Sequence, residues 1–434
     1  MKRSSFILLF FLLGRASAPA ESLHINPERL QKLLTDLSEF GKNPEEGGVS
    51  RLAFSQADQA ARRWVLERMK EAGLEVWVDG AANIHGRRPG SDASLPVILF
   101  GSHIDSVPLG GNFDGDVGSM GALEVMLTLH EQHAPTRHPL EMVIWSNEEG
   151  VHFGKAVFGS RAATVGPDPG ELELVDEEGV SLAEWLRRYG LDPERIHAAR
   201  LDPKSLAAYL ELHIEQGAFL DRDGIQIGVV QGIVGIKRYA VTIEGLANHA
   251  GTTPMEERRD AMVAAARLIQ AVREEVMARP GRQVGNVGWL RATPGAPNVV
   301  PGRVEMPIEL RDLQMDVIDD VMSRIGSRAE TIARETDVLM DIELFATDEP
   351  ALTDPALQDL IETVAHEAAF STLRMPSGAG HDAQILGRYG IPIGMIFVPS
   401  KDGISHSPRE WTDWEDCARG TEVLYRTLLA LDRR

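Results

Sequence analysis

The chain has 434 residues, 43% hydrophobic and 25% charged, enough to bury a large core and too long for one simple core, so two domains are expected. Its net charge of −21 would repel a phosphate backbone and argues against nucleic acid as a partner. Cys417 is the only cysteine, which excludes an intramolecular disulfide and leaves packing, metal or a partner subunit to stabilise the fold.

At the N-terminus, Lys2 and Arg3 precede an apolar run from Phe6 to Leu13 and then small residues through Ala20. This is the three-part pattern of a secretory signal, with cleavage expected after Ala20 and a secreted or periplasmic mature protein. The run falls well short of the roughly 20 residues that span a bilayer, and no other stretch is long and apolar enough, so no membrane association is expected after cleavage.

From about Asn26 to Val230 helical and strand signals alternate. Asp58 to Ala72 reads as an amphipathic helix, and Val97 to Gly101 and Glu141 to Ser146 as short apolar strands, the pattern of an α/β sheet layered with helices. The rhythm then changes. Tyr239 to Glu244 reads as a strand, Glu256 to Ala278 as a helix, Gln283 to Arg291 and Arg303 to Arg311 as strands, Val317 to Glu335 as a helix and Asp337 to Phe345 as a strand. That order predicts a split βαβ, ferredoxin-like α+β unit complete in itself. After about Thr347 the first rhythm resumes, with a helix near Leu357 to Ala369, a strand at Ile393 to Val398 and a closing helix from Trp414 to Leu431. The expected organisation is a signal at 1–20, a discontinuous α/β domain at 21–230 and 347–434, and an inserted α+β domain at 231–346.

Chemistry-bearing residues cluster where these strands end. His103 and Asp105 follow the Val97 strand two residues apart, so an extended backbone turns both to one side, and Asp105 can fix the other nitrogen of an imidazole that binds metal or otherwise support the site. Asp114 lies in the glycine-rich Gly110-Gly-Asn-Phe-Asp-Gly115 loop before a helix at Gly118 to His130. Its carboxylate can bridge two cations or, more plainly, cap the helix. Glu148 and Glu149 follow the Glu141 strand, where one can ligate metal while the other holds and moves a proton. His213 follows the apolar Leu206 to Leu212 stretch, and His406 lies shortly after the Ile393 strand. Taken singly, each histidine reads as a core or loop residue. Together His103, Asp114, Glu149, His213 and His406 form the mixed N and O set that suits two divalent ions, Zn first, with Mn, Co or Ni as options.

In one order along the chain stand HIDS, GGNFDG, NEEG, HIEQG, ANHAGTTPM, PGAPNVVPGRVE, PSGAGHDA and GISHSP. This set resembles the signature segments of the M20 peptidase-type amidohydrolases, the branch of N-carbamoyl-L-amino-acid hydrolases, allantoate amidohydrolases and β-ureidopropionases. The resemblance implies a discontinuous two-metal catalytic domain with an inserted dimerisation and lid domain, and closure about hinges near Val230 to Gly235 and Ala346 to Pro350. It implies Asp114 bridging two metals, with His103, His213, Glu149 and His406 completing the two shells in a partition left open, and Glu148 as general base. A cis peptide after Asp114 is also implied. His249 would reach the neighbouring subunit's site as an oxyanion donor in a homodimer. Arg311 would grip the substrate carboxylate, with Gln216 and Asn298 as hydrogen-bond donors.

The activity so implied is hydrolysis of the ureido C–N bond of an N-carbamoyl-L-amino acid, with allantoate, ureidoglycolate or 3-ureidopropionate as related substrates. An M20 aminoacylase or peptidase is the enzymatic alternative, and a non-catalytic ureido-acid-binding module is the alternative from another class. Three features depart from the pattern: the export signal, Lys237 where a neutral residue is usual, and Asp116 where an apolar residue usually follows Asp-Gly.

Overall fold

The computed structural model describes residues 24–434, so the expected signal at residues 1–20 lies outside the described residues. In chain order the strands are β1 (Glu75–Val78), β2 (Ile84–Arg88), β3 (Val97–His103), β4 (Leu140–Trp145), β5 (Leu206–Ile214) and β6 (Ile227–Ile233). They continue with β7 (Gly235–Glu244), β8 (Asn248–His249), β9 (Val284–Asn286), β10 (Arg291–Thr293), β11 (Val299–Val300) and β12 (Arg303–Asp312). The last four are β13 (Leu339–Asp348), β14 (Ala351–Leu352), β15 (Thr372–Ser377) and β16 (Ile393–Val398).

A large mixed sheet runs β1-β2-β4-β3-β5-β16-β6-β14, with β15 also against β6. Its centre, β4-β3-β5-β16, is parallel throughout. Every residue of β3, β4 and β16 is buried, as expected of strands covered on both faces and as their unbroken apolar runs demand. On one face pack the helices Pro27–Ser38, Gln56–Glu71, Asp116–Glu131, Pro355–Glu367 and Trp414–Asp432. Leu34, Val65, Met120, Leu212 and Val423 meet there without solvent exposure. Each such side chain contributes about 1.5–3 kcal/mol by leaving water. Because the central strands are parallel, their carboxyl ends lie on one edge, and that edge carries the candidate site.

The chain leaves the large sheet at Val234 and returns at Glu349-Pro350. Between them lies a five-stranded antiparallel sheet ordered β13-β7-β12-β10, with β9 also on β12. With β9 and β10 counted as one interrupted strand, the order is that of the expected ferredoxin-like unit. Helices Ala261–Met277 and Met315–Thr336 cover one face, and β12 alternates accordingly, burying Val304, Met306, Ile308 and Leu310.

Two expectations need adjusting. The helix read from Glu256 begins at Ala261, because Asp260 Oδ1 accepts the N–H groups of Met262 and Val263 at 2.9 and 3.2 Å and fixes the N-terminus there. The single strand read over 283–291 is broken: Asn286 pairs with Glu309 and Arg291 with Glu305, so five steps on one strand face four on the other and the surplus bulges out. Among the described residues no helix is long and apolar enough to cross a membrane.

Candidate metal centre

His103 closes β3 and His213 lies one residue before the end of β5, both buried. Each ring is aimed by a backbone carbonyl: His103 Nδ1 lies 3.0 Å from Asp105 O, and His213 Nδ1 lies 2.9 Å from Ile214 O. A carbonyl only accepts, so both Nδ1 atoms carry a proton and both Nε2 atoms are left to face the cavity; with no cation bound, Asp114 overcomes burial and raises His213 to about 9. Asp114 stands between them, with Oδ1 at 3.7 Å from His103 Nε2 and 3.2 Å from His213 Nε2. His213 Nε2 is fully buried and, although 3.2 Å from Asp114 Oδ1, has no partner in hydrogen-bond geometry.

On the other side of Asp114, His406 Nε2 lies 3.2 Å from Oδ2 and 3.6 Å from Glu149 Oε2. The donor atoms of His103, Asp114 and His213 fall within 4.8 Å of one another, and so do those of Asp114, Glu149 and His406. Asp114 belongs to both groups, and His213 belongs also to a third, with Glu211 and His381.

Asp114 does not cap the helix that follows. Gly115 takes the N-cap position with φ +67°, and the carboxylate turns instead toward the histidines. A Cβ at position 115 would come within 2.4 Å of His103 Cε1, so both the turn and the close approach require glycine. The expected cis peptide after Asp114 is not found. Among the described residues the one cis bond is Thr293–Pro294, and the turn is made by the left-handed Gly115 together with an Asp116 N–H to Asp114 O bond of 2.7 Å.

The second layer holds residues that the sequence reading missed. Glu410, 4% exposed, accepts the backbone N–H groups of Phe113 and Asp114 at 2.9 and 3.0 Å, and the Ser405 hydroxyl at 2.8 Å. Ser405 also lies 2.9 Å from Asp114 Oδ2. Behind His213, Glu211 accepts from Ser102 Oγ at 2.9 Å and Ala383 N at 3.0 Å, while the His381 ring stacks edge-on 4.5 Å away. The signal for Glu211 was present: it is two residues before His213 on one strand and shares its face. Asn147, Gln216 and His406 all have positive φ (51°, 57° and 52°), strain that tertiary contacts must hold and that no sequence pattern displays.

Of the two expected roles, Asp105 takes the second and supports the site without a hydrogen bond to the imidazole. Its Oδ1 is 3.9 Å from His103 Nδ1, and its two oxygens instead accept the N–H groups of Glu148 and Glu149, each at 3.1 Å. Gln216 lines the cavity, donates one amide N–H to Asp114 Oδ2 at 2.6 Å and has a buried Oε1 without a partner. Arg311 is not in the metal cavity. It pairs with Glu309 at 2.8 Å, donates to Gly378 O at 2.8 Å and lines a neighbouring cavity of about 360 Å³. His249 and Asn298 are exposed on the β8–β11 ribbon and line neither cavity.

Electrostatically the site asks for cations. Burial and the neighbouring acids Asp382, Glu149, Asp105 and Asp114 push the Glu148 carboxyl well above the ordinary range. Burial and then Asp114 raise Glu149 to about 8. Burial lowers His103 to about 4, so it stands as the neutral imidazole a metal requires. Asp114 resists burial through His213 and His406 and stays well below its usual value. Buried Glu148, the half-buried Asp114 and Glu149, the imidazoles of His103, His213 and His406 and the partnerless Nε2 of His213, in one cavity of about 650 Å³, fit a divalent-metal centre.

Residues 99–430 match the model of peptidase family M20/M25/M40. The chain is 45% identical, over 94% of its length and 99% of the relative's, to an N-carbamoyl-L-amino acid amidohydrolase of Geobacillus stearothermophilus. It is 34% identical, over 93% of its length and 98% of the relative's, to an allantoate amidohydrolase of Escherichia coli. A crystal structure of a hydantoinase/carbamoylase family amidase from Burkholderia ambifaria superposes with a TM-score of 0.88 at 33% identity, covering 95% of this chain and 98% of that one.

Proposed function

This chain belongs to peptidase family M20/M25/M40, and on that premise we propose that it is a metal-dependent amidohydrolase that cleaves the ureido C–N bond of an N-carbamoyl-L-amino acid. The observation that carries the reading is Asp114 shared by two donor groups with Glu148 beside them, its Oε2 3.8 Å from His103 Nε2. Two ions are proposed, one held by His103, Asp114 and His213 and one by Asp114, Glu149 and His406, with Zn the first choice and Mn, Co or Ni the alternatives. When bound, the metal supplies Lewis acidity to the ureido carbonyl and lowers the pKa of a water to about 7.

The rest is done by side chains. Glu148 takes the proton from the attacking water as its oxygen bonds to the ureido carbon. It then gives that proton to the departing nitrogen as the C–N bond breaks. Ammonia leaves, and the remaining N-carboxy amino acid loses carbon dioxide to give the free amino acid. Gln216 Oε1, without a protein partner, accepts from a ureido N–H while its amide steadies Asp114. Arg311 takes the α-carboxylate once released from Gly378 O. His249 and Asn298, exposed on the small domain, act across a homodimer on the neighbouring site, where His249 steadies the tetrahedral oxyanion. The N-terminal segment is proposed to be a secretory signal, which would put this chemistry outside the cytoplasm.

The test is ammonia release from N-carbamoyl-L-amino acids, allantoate, ureidoglycolate, 3-ureidopropionate and dipeptides by protein stripped and reloaded with each metal. Metal-dependent release from a ureido acid, abolished by Glu148→Gln, is expected. Cleavage of dipeptides alone would move the assignment to a peptidase, and silence on all of them with metal tightly bound would leave a binding module.

A further inference from the structure

Four cationic side chains line the cavity that holds the metal donors: Lys155, Arg161, Arg238 and Arg388. Three are committed. Lys155 pairs with Asp168 at 2.7 Å, Arg161 with Glu171 at 2.7 Å, and Arg238 with Glu309 and Asp348 at 2.7 and 2.9 Å. Arg388 makes no hydrogen bond or ion pair among the described residues. It ends the Asp382–Arg388 helix, and Gln384, one turn earlier on the same face, also lines the cavity with no side-chain hydrogen bond. A guanidinium and an amide on successive turns present a fork of donors suited to a carboxylate. Asp348 and Glu349 are the nearby acids; Asp348 is already held by Arg238, and neither is within ion-pair distance of Arg388.

The cavity's size and branching show what such a fork would face. At about 650 Å³ it far exceeds the bulk of a ureido group on a small amino acid. Gln216 and Ala379 line both this cavity and the adjoining one of about 360 Å³ that contains Arg311. A ureido acid reacting beside Gln216 therefore has two directions open to it. The α-carboxylate turns toward Arg311 and the side chain runs along the metal cavity toward Arg388. Apart from Glu148 and the metal donors, the wall carries four cationic and two acidic side chains, on a chain whose net charge is −21.

Resting on the functional reading above, we propose that Arg388 and Gln384 form a subsite for a side-chain carboxylate, and that the preferred substrates are ureido acids bearing a second carboxylate, of the N-carbamoyl-L-glutamate class. Arg388 is a specificity residue in this scheme and takes no part in bond breaking. Its loss should raise KM for dicarboxylic substrates and leave kcat, and the turnover of neutral ureido acids, unchanged.

The experiment is calorimetric titration of metal-loaded Glu148→Gln protein, with and without Arg388→Gln, using N-carbamoyl-L-glutamate, N-carbamoyl-L-glutamine and glutarate, beside steady-state kinetics of the Arg388→Gln enzyme. The glutamate compound is expected to bind at least about tenfold more tightly than the glutamine compound, a margin that Arg388→Gln removes. Equal affinity for the two in the parent, or an equal loss for both in the variant, overturns the subsite. Failure of the underlying reading has another signature: neither ureido acid binds or reacts, while glutarate still distinguishes the parent from Arg388→Gln. Glutarate bound equally by both proteins rejects the subsite on its own.

Discussion

Asp105 grips Glu148 by its backbone: Asp105 Oδ1 accepts the Glu148 N–H at 3.1 Å while Oδ2 accepts the next N–H, that of Glu149, at the same distance. One buried carboxylate from the loop after β3 thereby fixes the segment after β4 that carries both the proposed base and a proposed ligand. Asn at 105 keeps one acceptor and loses the other. Asp105→Asn is expected to lower metal affinity and kcat/KM by about 10–100-fold with little change in thermal stability, read from metal titration and kinetics. Wild-type metal affinity in the variant would mean that the Glu149 loop needs no such clamp.

Removal of the proposed base separates proton transfer from metal binding. Glu148→Gln is expected to reduce kcat by about 10²–10⁴-fold while the metal content stays at the wild-type level. An equal fall in metal content would make Glu148 a structural part of the centre.

In the proposed centre each half has two donors beyond the shared Asp114: His103 and His213 in one, Glu149 and His406 in the other. His213→Ala and His406→Ala should each retain roughly half of the bound metal, and Asp114→Ala should retain almost none, as measured by elemental analysis after dialysis. Full loading of either histidine variant would contradict the two groups.

The exposed His249 is proposed to serve the neighbouring subunit, which makes a complementation test decisive. Co-expressed Glu148→Gln and His249→Ala chains form mixed dimers in which one site has both residues, so about a quarter of wild-type activity should return from two inactive variants. No recovery in a preparation shown to contain mixed dimers would place His249 within its own subunit's site or outside catalysis.

On β2, buried His85 has Nδ1 2.8 Å from Glu141 Oε1 and Nε2 3.3 Å from Asp79 Oδ2. Burial opposes its charge, but the two acids prevail and raise it from 6.5 to about 9. The folded value lies above the unfolded one, so this stabilisation is complete below pH 6.5 and is lost as pH rises through about 9. It amounts to about 3 kcal/mol. Urea unfolding should show the advantage of wild type over His85→Gln shrinking across that window. A constant difference would show that the imidazole does not titrate there.

The sequence departure at Asp116 has a structural partner that no spacing announces. Arg51, 1% exposed, donates to both Asp116 oxygens at 2.7 and 2.6 Å, to Ile104 O, and to Leu37 O and Phe40 O. An apolar residue at 116 would leave that guanidinium buried and unpaired, so the two positions must change together. Their separation of 65 residues in the chain is why neither looks exceptional alone.

What the sequence determined by itself was the order of elements and the kinds of donor. Apolar runs long enough for buried strands and the strand-helix-strand-strand-helix-strand order followed from periodicity, and His103, Asp114, Glu149, His213 and His406 were visible because each follows a strand or opens a loop at its end. Tertiary structure decided which donors share Asp114, that Asp105 clamps a backbone instead of an imidazole, that Gln216 spends its amide on Asp114, and that Arg311 and Arg388 face different cavities. These are distances between residues far apart in the chain, set by the pairing of parallel strands and by side-chain direction. Local sequence fixes the face on which a side chain emerges, but the atom it meets there is fixed only when the strands and helices pack.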